Sequence, residues 1–198
     1  MPNAKPRLTQ EKLAEKLAPF NLDRAKHPLV IVGIRGYYKD TMGVPGVNDR
    51  GIYDDAIFID TPDTFAAFNG NTDPSRHKPG TGFSDSSKGM AKLKLGAWFV
   101  HKLDFHGSKV LGPYRAICQR LGKVTVVRDG KNGKDYEDTG NFGINIHKGS
   151  YNGTSSLGCQ TLHPDQWSSF ISMAMDLAKR YHGDQWEKTV IPYVLLEE

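Results

Sequence analysis

Apolar and polar positions along the chain follow two rhythms, and the change between them comes late. Near the start, Leu13, Ala14 and Leu17 share one face at helical spacing, with Thr9 placed to cap the helix and Pro19 to stop it. These residues predict a short N-terminal helix. Being short and highly charged, it should pack on the body as an extension covering residues 1–27.

From Pro28 the texture is that of strands. Leu29-Val30-Ile31-Val32-Gly33-Ile34 is a continuous apolar run, as a buried strand requires. Residues 52–60 alternate loosely and are β-branched, and further strands are expected at 64–68, 97–105, 123–127, 143–147 and 189–196. Between them, 36–51 and 69–89 are rich in Gly, Pro, Asn and Asp and read as long loops. A loop as long as 69–89 is uncommon in a compact domain, so it is either functional or mobile. Asp129 to Gly133 is a turn-forming cluster. After residue 159 the period lengthens: Trp167, Phe170, Ile171, Ala174, Leu177, Ala178 and Tyr181 recur at helical spacing, with Pro164 in the first turn and Gly183 past the end. The pattern predicts one mostly β domain (a β-rich α+β fold) over residues 28–198, with one long helix late in the chain.

Composition narrows the class without changing this picture. The 198 residues are 38% hydrophobic and 24% charged, ordinary for a globular protein. A chain of this length buries roughly 70% of its unfolded surface and needs no metal or disulfide to fold. No stretch approaches the ~20 apolar residues of a membrane span, so no stable membrane insertion is expected. No secretory signal fits the N-terminus, which implies synthesis in the cytosol and release by another route. The net charge of +4 comes from scattered Lys and Arg with no nucleic-acid tail, although a mild cationic bias favours polyanions such as an acidic cell wall. The two cysteines, Cys118 and Cys159, are too few for a disulfide framework. Reduced thiols are the favoured reading, with a single Cys118–Cys159 bridge left open.

The chemistry concentrates in Gly143-Ile144-Asn145-Ile146-His147-Lys148-Gly149-Ser150 and Ser155-Ser156-Leu157-Gly158-Cys159-Gln160-Thr161. A strand carries His147 to its end, and a loop rich in Gly, Ser and Asn brings the chain back to Cys159. A free thiol has a pKa of about 8.5 and is a weak nucleophile until a base takes its proton. The tetrahedral intermediate of attack on a carbonyl needs backbone N–H groups aimed at its oxygen. Gly158 keeps a side chain out of the approach and permits the tight backbone that turns those amides inward. With no acidic residue beside His147, its orienter is expected to be a backbone carbonyl in the Lys148–Gly149 turn.

Ordinary readings compete: a cysteine is often a small buried hydrophobe, and a histidine ending an apolar strand is often a satisfied core residue. His101, His106 and His163, with Asp104 and Asp165, fit no compact zinc motif, so neither metal nor cofactor is expected. Cys118 lies in an apolar stretch and reads as a structural thiol. Trp98 and Trp167 read as core. Arg35, Tyr37, Tyr38 and Asn48, in or near the first long loop, are either groove residues or rim and turn residues.

The order strand–His–Gly-containing loop–Ser-x-Gly-Cys resembles the catalytic motif of the L,D-transpeptidase catalytic-domain (YkuD-like) family. On that resemblance His147 matches the base, Cys159 the nucleophile, Gly158 the glycine and Ser156 the Ser/Thr position. The family's His before Gly-Cys is Leu157 here, its Arg or Asn is Thr161, and Lys148 intervenes before Gly149. The chain also resembles phage proteins that pair this motif with Gly-Ile-Arg-Gly-Tyr-Tyr, here Gly33 to Tyr38. The likeness implies a β-sandwich or barrel with a long helix after the cysteine, and a catalytic set of Cys159, His147 and Gly158. Ser156, Thr161, Gln160, Gly149, Tyr37 and Arg35 would then bind substrate. It implies a monomeric phage endolysin-type cysteine peptidase that cuts peptidoglycan stem peptides at the cell wall or periplasm after release from the host cytoplasm. The alternatives are a transpeptidase that forms or exchanges cross-links, and a non-catalytic wall-binding or structural protein on the same scaffold.

Overall fold

The computed structural model describes residues 8–84, 86–107 and 112–198. The stretch Met1 to Arg7 of the expected N-terminal extension lies outside them. The described chain is mostly β with two α-helices. Strands β1 (Val30–Arg35), β2 (Asp55–Asp60), β3 (Phe65–Asn71), β4 (Ala91–Leu93), β5 (Gly96–Trp98), β6 (His101–His106), β7 (Tyr114–Gln119), β8 (Val124–Arg128), β9 (Tyr136–Gly140), β10 (Ile146–Lys148), β11 (Gln160–Leu162) and β12 (Tyr193–Glu197) are joined by helices α1 (Gln10–Leu17) and α2 (Pro164–His182). Nine strands form one mixed sheet in the order β5-β12-β1-β2-β3-β11-β10-β7-β6, and β4-β8-β9 form a second.

The apolar run at β1 is continuous because both of its faces are covered. Ile31 points with Ile57, Ile59, Phe170, Ala174 and Tyr193 into the main core beneath α2. Val30, Val32 and Ile34 point the other way, with Ala56 and Phe58, into a second core closed by Leu13 and Leu17 of α1. The N-terminal helix is capped by Thr9, whose side chain accepts from the Lys12 amide, and it packs on the body as its charge and brevity suggested. Trp167 is buried in the main core and Trp98 is packed against it.

Several expectations needed correction. The stretch 97–105 is two strands, because β5 pairs with β12 while β6 pairs with β7. Residues 52–54 stay outside β2, and 143–145 outside β10. Strands β4, β7, β9 and β11 lie outside every stretch whose pattern predicts a strand. The 69–89 segment begins as the end of β3 and is then tied down. The Ser75 amide donates to the Ser156 carbonyl (2.9 Å), Gly80 to Asp129 (2.9 Å) and Met90 to Lys78 (3.0 Å). Arg50 forks onto both carboxylate oxygens of Asp129 at 2.7 Å and links the first long loop to the same turn.

Candidate active site

Two short strands build the site. β10 and β11 pair in parallel with His147 opposite Thr161 and Ile146 opposite Gln160, so Cys159 stands at the entry to β11 beside the strand that carries His147. The connecting loop between them includes Ser155 at φ 55, a left-handed conformation uncommon for a residue with a side chain. Gly158 follows at φ 149, and a Cβ there would lie 2.5 Å from the Ala91 carbonyl oxygen. Only glycine meets both conditions without strain.

Ser156 holds the turn together. Its hydroxyl donates to the Cys159 carbonyl (2.7 Å) and accepts from the Gly158 amide (3.0 Å). Its own amide donates to Ser75 Oγ (2.7 Å), anchoring the turn on the 69–89 segment. The Gly158 N–H is therefore already partnered, which corrects the expectation that it helps hold an oxyanion.

The Cys159 thiol donates to the Gly143 carbonyl at 3.2 Å. The residue is half-buried, and both cysteines are free. Burial pushes the Cys159 thiol up to about 11, with the Asn145 backbone hydrogen bond pulling the other way. Cys118 is fully buried in the main core, and burial pushes its thiol to about 11 as well.

His147 is buried and its Nδ1 lies 2.8 Å from the Lys148 carbonyl, the backbone group named from the sequence as its orienter. A carbonyl only accepts, so Nδ1 carries the proton and Nε2 is left with its lone pair. The Tyr114 hydroxyl lies 3.4 Å from the same nitrogen. Burial, then the charge of His106, push the imidazole down to about 4, against the Lys148 hydrogen bond. Thiol and imidazole are thus both neutral at rest.

A second imidazole completes the wall. The His106 ring lies on the His147 ring with centroids 4.2 Å apart and planes within 10°. Together with Tyr114, Lys148, Gly149 and Tyr151 these rings line an open cavity of about 480 Å³. Leu157, immediately before the Gly-Cys pair, is 72% exposed.

Of the six substrate-binding residues expected from the resemblance, Gly149 alone lines this cavity. Ser156 is buried in the turn it shapes. Gln160 is buried between Gly158 and Tyr193, donating to the Gly158 carbonyl (3.1 Å) and accepting from the Tyr193 hydroxyl (2.8 Å). Thr161 is fully buried in the sheet. Arg35, 3% exposed, donates to Thr72 and the Leu93 carbonyl and lies 3.3 Å from Asp73. Tyr37 packs in the second core against Phe58 and Tyr38. Both serve the interior: Arg35 ends β1, which is buried on both faces, and Tyr37 lies in the turn just after it. Asn48 bonds Asp73 at 2.5 Å as a loop tie.

The other histidines disperse. His101 is buried against Tyr193 and its Nε2 bonds the Ile144 carbonyl, whereas His163 caps α2. Asp104 binds Arg120, and Asp165 accepts from Tyr151. Among the described residues, no group of three or more His, Cys, Asp or Glu is placed to hold a metal ion. No local spacing in the sequence marks His106, Tyr114 or Asn145 for a part in this site. The pairing of His106 with Tyr114 across β6 and β7, and of β7 with β10, brings the first two to His147.

No family model, curated protein or solved structure matches this chain. Among the described residues no helix is long and apolar enough to cross a membrane.

Proposed function

We propose that this chain is a cysteine peptidase of the L,D-transpeptidase-like kind, acting on peptidoglycan stem peptides. The observation that carries the reading is the parallel β10–β11 pair, which brings the segments bearing Cys159 and His147 side by side, with the tautomer-fixed His147 lining an open cavity and the Cys159 thiol turned to the Gly143 carbonyl. The family's fold and motif supply the substrate class by resemblance.

Chemistry begins from a neutral pair. The thiol leaves the Gly143 carbonyl by rotation about its Cα–Cβ bond, and His147 Nε2 takes the proton as sulfur bonds to the substrate's carbonyl carbon. The Cys159 amide is the backbone donor left for the oxyanion once Gly158 is occupied by Ser156. Collapse breaks the C–N bond, and the His147 proton goes to the leaving amine. Water, deprotonated by the same Nε2, then releases the acyl group and regenerates the thiol. The Lys148 carbonyl stabilises the imidazolium formed in each half-reaction.

The test is digestion of purified murein by wild type and Cys159→Ala, with released peptides followed by mass spectrometry. Wild type is expected to shorten stem peptides and the variant to release none. Equal release by both overturns the proposal, and new cross-links or exchanged terminal residues in place of shortened stems would assign the transpeptidase reaction instead.

A further inference from the structure

Asn145 is a fixed relay between the two strand ends of the site and His106. Its Oδ1 accepts from the Gln119 backbone N–H at 2.9 Å. A backbone N–H only donates, so the amide cannot be turned round, and Nδ2 is the atom that meets His106 Nδ1 at 3.0 Å. His106 Nδ1 must therefore accept, and its proton resides on Nε2. Charging His106 would set an N–H against an N–H and break this bond.

The same ring lies flat on His147 at 4.2 Å. That contact blocks rotation of the His147 ring away from the Lys148 carbonyl. Resting on the catalytic reading of His147, we propose that His106 is a positioning residue: held neutral by Asn145, it clamps the His147 ring in its Nδ1–H tautomer and leaves Nε2 open to the groove. A neutral ring face also accommodates the imidazolium that His147 becomes, whereas a protonated His106 would oppose it.

The surroundings favour the neutral state. His106 faces His147 on β10 and Tyr114 on β7, with Arg120, itself bridged to Asp104 at 2.9 Å, the nearby cation. Burial and then the Arg120 charge hold the His106 imidazole below its ordinary value. The Asn145 carbonyl also accepts from the Gln160 amide at 2.8 Å, so one residue ties the strand that follows Cys159 to the second histidine.

The experiment is ¹⁵N NMR of the histidine rings in the full chain, titrated with pH, for wild type, His106→Phe and His106→Ala. In wild type, His147 should show the Nδ1–H tautomer and titrate in two coupled steps shared with His106. His106→Phe keeps a ring face but removes the charge. It should retain the tautomer, give a single step and raise the His147 midpoint by about one pH unit, the scale of a like charge at contact distance. His106→Ala should mix the tautomers. If both variants leave the His147 tautomer and midpoint as in wild type, the inference fails. Should His106→Ala not fold, an unmoved midpoint in His106→Phe is enough to overturn it. None of these readouts depends on murein digestion, so the inference and the peptidase reading can fail separately.

Discussion

At the scale of single residues, the turn before the thiol is determined more by Gly158 and Ser156 than by Cys159 itself. One hydroxyl clasps both ends of the Gly158–Cys159 step, and a glycine lets that step run under the Ala91 carbonyl. Gly158→Ala adds a Cβ at a left-handed φ and against a backbone oxygen. It should cost about 2 kcal/mol or more, measured by urea unfolding, and abolish stem-peptide release. An unchanged unfolding midpoint would show that the turn adapts. Chemical type at fixed spacing made His147, Gly158, Cys159 and the carbonyl after His147 legible in the sequence. His106 and Asn145 were not, because their partners are 41 and 39 positions away in chains of hydrogen bonds and stacked rings that no local spacing encodes.

At the scale of elements, α1 shows how a polar segment earns its place. Four of its eight residues are charged, yet Leu13 is fully buried and Leu17 nearly so against β1 and β2. Leu13→Ala should destabilise the protein by about 2–5 kcal/mol, read as a lower chemical-denaturation midpoint. A change near zero would mean that the helix is dispensable to the second core. Helices α1 and α2 were legible because a one-sided apolar stripe needs only its own segment to be recognised. β1 was legible because burial on both faces leaves Val30 to Ile34 without a polar side chain. β9, Tyr-Glu-Asp-Thr-Gly, was not, since it is an edge strand whose side chains remain at least partly exposed. β11 escaped notice for the opposite reason: Gln160 and Thr161 are polar residues buried in a three-residue strand that exists only through its neighbours β3 and β10.

At the scale of the whole molecule, buried histidines weaken the fold toward acid, opposed by the buried Asp54 and Asp55, whose burial raises their carboxyls. His101 and His147 are both held near 4 by burial, against an ordinary value of 6.5. As pH falls below 6.5 the unfolded chain binds protons that the folded chain refuses until about 4, so this contribution to stability is intact above 6.5 and lost on the way down to 4. His101→Gln removes one such group from the interior. Its Tm should therefore fall less steeply than that of wild type between pH 6.5 and 4, whatever its value at neutral pH, and parallel slopes in differential scanning calorimetry would count against the assignment.

The neutral thiol has a consequence for how the protein survives before it acts. Oxidants and electrophiles attack thiolate, and a group pushed up to about 11 offers very little of it at neutral pH. Cys159 is therefore sheltered from sulfenic acid formation and stray alkylation while it rests against the Gly143 carbonyl. On the proposed reading its nucleophilicity would be created together with the bound substrate, so the molecule could wait in a chemically mixed environment without consuming its own nucleophile.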